Sequence, residues 1–303
     1  MKQRRQAQSH IGRFFRIIFP AVAILFAGSV VLFFLLVYKI THPGSVSEPI
    51  NPSDYLLPSK DVTLSSSDGT QIPGWWIPGS KRAPGVVLAP GYGMSRSDAL
   101  SLANALHEKN FNIFIYEQRG SGPSAQGAST LGLCETEDML AALEFVQTQQ
   151  DVNQDKLGIW GVDIGARAAL MAAASVEQIR AIAADGVFES PLDFLDLRIE
   201  EDLGMDNWFV GFGCRQIFRL IHIASCSSIN EKLPLEALSD RTILFIRGEN
   251  REKLGPLTAA LYEKIQPQKE LVSLKAARVH LMGGEGLKSY DRQAVRFFQL
   301  NLQ

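Results

Sequence analysis

One carboxylate between two glycines is the feature of this sequence that points most directly to chemistry. Asp163 stands at the centre of the run Gly161-Val162-Asp163-Ile164-Gly165. The apolar residues 157–160 before it predict a buried strand, and the alanine-rich run that begins at Ile164 predicts a helix. Because glycines let a strand and a helix approach closely, the turn between them should present the Asp163 side chain at the carboxyl end of the strand.

A carboxylate in such a turn can act as a nucleophile, forming an ester with an alkyl carbon that a histidine-activated water then cleaves. His280 is the candidate base, in the loop expected after the last strand. Asp185, Glu249 and Glu252 are candidates to orient it. Both main residues have a structural alternative. Asp163 can cap the helix that follows it, and His280 can be a loop histidine bonded to backbone.

Strands and helices alternate along most of the chain, and this alternation predicts an α/β fold with a doubly wound, mainly parallel sheet. Residues 187–240 break the alternation and predict a small helical cap that includes the apolar run 208–223. A hairpin is predicted over 62–77, further strands over 86–89, 112–116, 157–160, 179–184, 242–246 and 271–274, and helices over about 95–109, 135–149, 256–265 and 289–300.

Four stretches of this chain, in this order, resemble the α/β-hydrolase family. They look closest to its membrane-tethered branch, which is related to serine aminopeptidases and acyl hydrolases. The stretches are Ala89-Pro90-Gly91-Tyr92-Gly93, Tyr116-Glu117-Gln118-Arg119-Gly120-Ser121-Gly122, Gly158-Ile159-Trp160-Gly161-Val162-Asp163-Ile164-Gly165 and Ile246-Arg247-Gly248-Glu249. The resemblance covers residues 62–300 and implies an α/β-hydrolase fold. It also implies an oxyanion hole built from the backbone N–H groups of Tyr92 and Ile164.

The chain departs from the family's catalytic pattern. Asp163 stands where the family has its nucleophilic serine, Arg251 stands where it has the triad acid, and the expected histidine position falls on Val279 rather than His280. Two functions therefore stay open. One is a hydrolase of small ester or acyl substrates with Asp163, His280 and Asp185 as catalytic residues. The other is a non-catalytic relative that binds a ligand or protein partner, which a pocket filled by Arg251 would favour.

An uncharged apolar run, residues 17–38, exceeds the roughly 20 residues that a helix needs to cross a bilayer. Basic residues and no acidic residue precede it, so the positive-inside rule predicts a cytoplasmic N-terminus and an extracytoplasmic domain. A cleaved signal peptide is the alternative, but the run is long for one. We therefore expect a basic terminus over 1–16, a membrane helix over 17–38, a tether over 39–61 and the hydrolase domain over 62–303.

The overall charge limits the classes of partner that the chain is expected to bind. A net charge of −2 gives no indication of a nucleic-acid partner. The membrane and a small-molecule or acyl substrate are the expected partners, without a cofactor or metal, and the oligomeric state is left open.

Cys214 and Cys226 would pair in an oxidising compartment or else stay free. Arg96 and Arg119 are expected to brace loops. Trp208, in the predicted cap, should belong to the cap core or contact lipid or an acyl chain.

Overall fold

A computed structural model describes residues 2–44, 50–122, 126–224, 226, 228–266 and 268–303, with the backbone alone for 2–15 and 17. The strands are β1 (Lys60–Ser65), β2 (Gln71–Ile77), β3 (Ala83–Ala89), β4 (Asn112–Tyr116), β5 (Val152–Val162), β6 (Ile179–Asp185), β7 (Thr242–Gly248) and β8 (Lys269–Leu274). The helices are α1 (Lys2–Thr41), α2 (Leu100–His107), α3 (Glu135–Thr148), α4 (Ile164–Ala173), α5 (Pro191–Leu203), α6 (Trp208–Ile221), α7 (Leu254–Lys264) and α8 (Gly284–Leu302).

All eight strands form one sheet in the order β1-β2-β4-β3-β5-β6-β7-β8. β1 and β2 pair antiparallel, β2 pairs antiparallel with β4, and the pairs from β4 to β8 are parallel. One face packs against α3, α4 and α7, and the other against α2 and α8. The predicted doubly wound, mainly parallel sheet is confirmed. The carboxyl ends of β5, β6 and β7 lie side by side at one edge.

The N-terminal helix does not end where the apolar run suggests. α1 continues to Thr41, and its last turns bury Phe33, Val37 and Ile40 against the cap helices α5 and α6. The carbonyl of Thr41 accepts a hydrogen bond of 2.8 Å from the Ser129 N–H. The connection to the sheet therefore begins later than the predicted tether, because packing on the cap keeps these residues helical. Residues 45–49 of that tether lie outside the described residues.

Of the two arrangements left open for Cys214 and Cys226, pairing with each other or two free thiols, neither holds for Cys226. Cys226 is bonded to Cys134, with 5.0 Å between their Cα atoms, and Cys214 is a buried free thiol. Cys214 lies on the face of α6 that packs into the apolar cap, in one cluster with Phe33 and Phe194. Cys226 follows the end of α6 and reaches the start of α3, so the disulfide ties the cap to the sheet.

Candidate functional site

The turn between β5 and α4 has the geometry that its two glycines predict. Asp163 adopts φ 50° and ψ −109°, in the positive-φ region that most side chains avoid. A Cβ added at Gly161 would lie 2.5 Å from the Gly165 carbonyl carbon, and one added at Gly165 would lie 2.5 Å from the Ala89 oxygen. The Asp163 N–H donates to the Asp185 carbonyl at 2.8 Å. Close packing therefore forces the sharp turn and holds the Asp163 side chain above the sheet.

The Asp163 carboxylate is ion-paired with Arg251. Arg251 Nη2 donates a short hydrogen bond to Asp163 Oδ1, and the two side chains are 9% and 7% exposed. Arg251 Nη1 lies 3.8 Å from Asp185 Oδ1. Burial by itself would lower the Arg251 pKa, but Asp163 and Asp185 outweigh it and raise that pKa above its usual value. The guanidinium is therefore a permanent cation between two carboxyl groups.

This pair overturns the capping interpretation of Asp163. Among the described residues, its side chain makes no capping hydrogen bond to α4. A charged guanidinium at hydrogen-bond distance in a site shielded from water attracts a carboxylate more strongly than the partial charge of a helix terminus. The Asp163 carboxylate therefore bonds to Arg251 in the segment after β7 rather than to the N–H groups at the start of α4.

Asp185, at the end of β6, faces α8 and Arg251. Its Oδ2 accepts from the Tyr290 hydroxyl at 3.0 Å, and that hydroxyl accepts from Trp160 Nε1 at 2.9 Å. Burial raises the Asp185 pKa to about 7, against the lowering effect of Arg251. No hydrogen bond joins Asp185 to His280 in the described part of the chain, and Glu249 and Glu252 are exposed. The role of Asp185 as the orienting acid stays a prediction.

His280 lies in a short 3-10 turn, Val279–Leu281, and lines the same pocket as Asp163 and Arg251. Its Nδ1 is buried and has no hydrogen-bond partner among the described residues, which does not support a ring tied to backbone through that atom. Burial lowers the His280 pKa, although Asp98 and Asp163 act to raise it. The neutral ring is therefore favoured near neutral pH. Its role as a base for residue 163 stays a prediction.

The glycine loop after β3 runs directly over the turn that carries Asp163. A Cβ at Gly91 would lie 3.1 Å from Asp163 Oδ2. The next residue, Tyr92, is buried, and its hydroxyl donates to the Ile40 carbonyl of α1 at 2.7 Å. The Arg198 guanidinium lies 4.5 Å from the centre of the Tyr92 ring. The loop is thus fastened to α1 and α5, while the oxyanion role of the Tyr92 and Ile164 N–H groups stays a prediction.

A pocket of about 400 Å³ connects these groups. Asp163, Arg251 and His280 are among its lining residues. The end of α1 and one face of α5 provide walls that we did not predict: Lys39, His42, Arg198, Glu201 and Asp202, with Arg278 beside them. Arg198 pairs with Glu201 and Asp202 at helical i,i+3 and i,i+4 spacing. That spacing was visible in the sequence, but nothing local indicated that the pairs face the pocket.

Arg96 and Arg119 lie outside this pocket lining and brace loops, as expected. Arg119 donates to Asp138 at 2.7 Å and to Asp68 at 2.8 Å. Arg96 stacks on Trp75, with 4.0 Å between its guanidinium carbon and the ring centre. Arg119 therefore braces the loop that follows β4 against α3, and Arg96 braces the loop that follows β3 against β2.

Comparison with known proteins agrees with this architecture. Residues 84–233 match the profile of a family described as alpha/beta hydrolase fold. The uncharacterized protein YfhR of Escherichia coli O157:H7 is 32% identical over 139 residues, which cover 44% of this chain and 48% of that protein. A thiohydrolase of Eupenicillium brefeldianum is 28% identical over 132 residues, which cover 43% of each chain. The chain thus spans about half the length of the curated relatives it matches.

Among solved structures, the Pyrococcus furiosus esterase Pf2001 is similar with a TM-score of 0.64. The match has 19% identity and covers 88% of this chain and 100% of the esterase. The structure of GrgF from Penicillium sp. sh18, described as an alpha/beta hydrolase, is similar with a TM-score of 0.61 and 20% identity over 81% and 99% of the two chains. The chain therefore has the α/β-hydrolase fold, and the comparisons support its place in the alpha/beta hydrolase fold family.

Proposed function

We propose that this chain is a membrane-anchored, α/β-hydrolase-like protein that uses its former active-site pocket to bind a ligand rather than to hydrolyse it. The observation that carries the proposal is the buried ion pair between Asp163 and Arg251. Arg251 occupies the position that the family gives to its triad acid. In the family, the acid at this position would act on the histidine. Here the cation at this position instead binds Asp163, the residue at the nucleophile position.

The ion pair opposes catalysis through Asp163 in two ways. Asp163 Oδ1 already accepts a charge-assisted hydrogen bond from Arg251, which stabilises the carboxylate as an anion and weakens it as a nucleophile; such bonds are roughly twice as strong as neutral ones. Ester formation at either oxygen would remove the negative charge and leave the Arg251 charge buried without its main partner, which typically costs about 3–5 kcal/mol. The walls of the pocket, in contrast, present charged groups suited to holding a polar ligand.

Three observations support the membrane anchor and its orientation. The span Ile18–Thr41 is long and apolar enough to cross a bilayer, and most of its residues are exposed. Basic residues precede it, which favours a cytoplasmic N-terminus. The Cys134–Cys226 disulfide favours an oxidising compartment for the rest of the chain. We therefore place the domain outside the cytoplasm.

Hydrolysis of a small ester or acyl substrate is the competing function. It would use Asp163, His280 and Asp185, and similar proteins are named as an esterase and a thiohydrolase. The position of Asp163 at a strained turn beside a pocket favours it. The two functions differ in whether any residue at position 163 can be activated by His280.

Repair of the nucleophile separates these functions. Full-length wild type, Asp163→Ser and Asp163→Ser/Arg251→Asp would be assayed with an activated aryl ester, and Asp163→Ala would set the background. We expect wild type and Asp163→Ser to stay at background, because a serine without a base forgoes a contribution on the order of 10²–10⁴ in rate. Turnover by wild type above Asp163→Ala, or strong turnover by Asp163→Ser alone, would contradict the proposal.

Ligand binding has its own readout. Small carboxylic acids and esters would be screened for stabilisation of the full chain against unfolding. A ligand at about 100 times its Kd stabilises by about 2.7 kcal/mol. A compound that binds this pocket should lose its effect when Arg198 is replaced by alanine, whereas replacement of Arg180, an exposed arginine on β6, should leave the effect unchanged.

A further inference from the structure

The cap helix α6 exposes an apolar face that the described residues of the domain do not cover. Trp208 is 80% exposed, and Phe209, Phe212 and Leu220 are also exposed. Ile223, just beyond the helix, is 83% exposed. The opposite face carries buried Gly213, Cys214 and Phe218, so apolar side chains occupy the exposed face of the helix as well as the buried one. An exposed apolar surface of this kind marks an interaction site.

α1 lies against this helix. The Phe33 ring packs edge-to-face on Phe209, with 5.4 Å between ring centres. A Cβ at Gly213 would overlap the Phe33 ring, so the two helices approach as closely as a glycine allows. The exposed face of α6 therefore lies beside the exposed apolar surface of α1.

The length of α1 sets the depth of this contact. Its apolar run meets α6 at Phe33, about 15 residues after Ile18, which corresponds to a rise of about 22 Å. The hydrocarbon core of a bilayer is about 30 Å thick. With Ile18 placed at the cytoplasmic edge of the core, the run from Ile18 to Phe33 is too short to cross it, so α6 contacts α1 at a depth still within the apolar or interfacial zone.

The charges of α6 suit the same depth. Exposed Arg215 and Arg219 are interspersed among the apolar side chains, and Arg215 is tied to Asp196 of α5. Arginine side chains of interfacial helices extend toward lipid headgroups while tryptophan and phenylalanine enter the acyl boundary. A soluble partner protein would not require the helix to sit at this depth along α1.

We propose that α6 is an interfacial helix whose Trp208 face inserts into the outer leaflet beside α1. This inference rests on the proposed membrane anchor. It places the pocket at headgroup level, because Lys39 and His42, which line the pocket, follow Phe33 by about 9–14 Å of helical rise. Ligands carried in the leaflet would then reach the pocket without crossing bulk water.

Trp208 is the reporter for this geometry. The chain contains four tryptophans, and the other three, Trp75, Trp76 and Trp160, are buried in the domain. Full-length protein would be placed in phosphatidylcholine vesicles with or without bromine on the acyl chains near the headgroup. The Trp208 signal is the difference between wild type and W208F. We expect it to be quenched by brominated lipid and protected from iodide present on both sides of the membrane.

A second variant distinguishes failure of the inference from failure of the anchor. L25W in the W208F background places a tryptophan on the exposed apolar surface of α1. If that residue is quenched by brominated lipid but Trp208 is not, the anchor stands and the inference is overturned. Protection of Trp208 from both quenchers would indicate a covering protein, such as a second copy, and would also overturn it. If neither residue is quenched by brominated lipid, both the anchor and the inference fail.

Discussion

Replacement of Arg251 by alanine is the perturbation that bears most directly on the site. It removes the guanidinium that pairs with Asp163 and lies 3.8 Å from Asp185. Both carboxyl groups would then remain in a region from which water is largely excluded, since Asp163 and Asp185 are buried. We expect the sheet to keep its fold in this variant, because Arg251 follows β7 rather than forming part of it.

The expected loss follows from burial. Removing one partner of a buried ion pair typically costs about 3–5 kcal/mol in the free energy of unfolding. An exposed pair contributes about 0–1 kcal/mol. Arg215 and Asp196 form such a pair, with side chains 45% and 32% exposed. Arg215→Ala is therefore the matched control, and the two single substitutions should differ by several kcal/mol.

A double variant tests the cause of that loss. In Asp163→Asn/Arg251→Met no charge is left unpaired at position 163, and replacing a whole buried pair is often neutral or even stabilising. Asparagine tolerates positive φ as aspartate does, so the turn should persist. Denaturant unfolding of full-length protein in detergent would give the four free energies. An Arg251→Ala loss no larger than that of Arg215→Ala, or no recovery in the double variant, would refute the argument.

Two further predictions concern stability. The folded-state pKa of Asp185 is about 7 against an ordinary 3.8, so between these values the folded chain keeps a proton that the unfolded chain has released, and stability falls as pH rises. Asp185→Asn should flatten that slope by up to about 1.4 kcal/mol per pH unit, measured by unfolding across the interval; an unchanged slope would mean that Asp185 is ionised in the fold. Cys134→Ala should cost about 2–5 kcal/mol under oxidising conditions, because it opens a disulfide between residues 92 apart in sequence. Reduced wild type should be no more stable than Cys134→Ala. Under oxidising conditions Cys226→Ala should show the same loss as Cys134→Ala, which checks that these two residues form the disulfide.

Several features of this protein could be predicted from its sequence because they depend on neighbouring residues. Apolar runs of strand length, separated by helix-forming segments, predicted the mainly parallel sheet. The glycines around Asp163 predicted a tight turn, since close packing there leaves no room for a side chain. The position of Arg251 three residues after Gly248 predicted that a cation replaces the family's acid. Each of these properties is local and needs no knowledge of strand order.

The contacts that decide the site join residues far apart in sequence. Arg251 and Asp163 are 88 residues apart, and Tyr290 and Asp185 are 105 apart. Arg251 and Asp163 meet because β5, β6 and β7 are adjacent and parallel, which brings the segments after β5 and β7 together. Tyr290 reaches Asp185 because α8 packs on one face of the same sheet. The burial of Phe33 in the cap likewise depends on where α6 lies. Whether a carboxylate caps a helix or binds a cation depends on which group is nearest in a dry site, and only the assembled tertiary structure determines that distance.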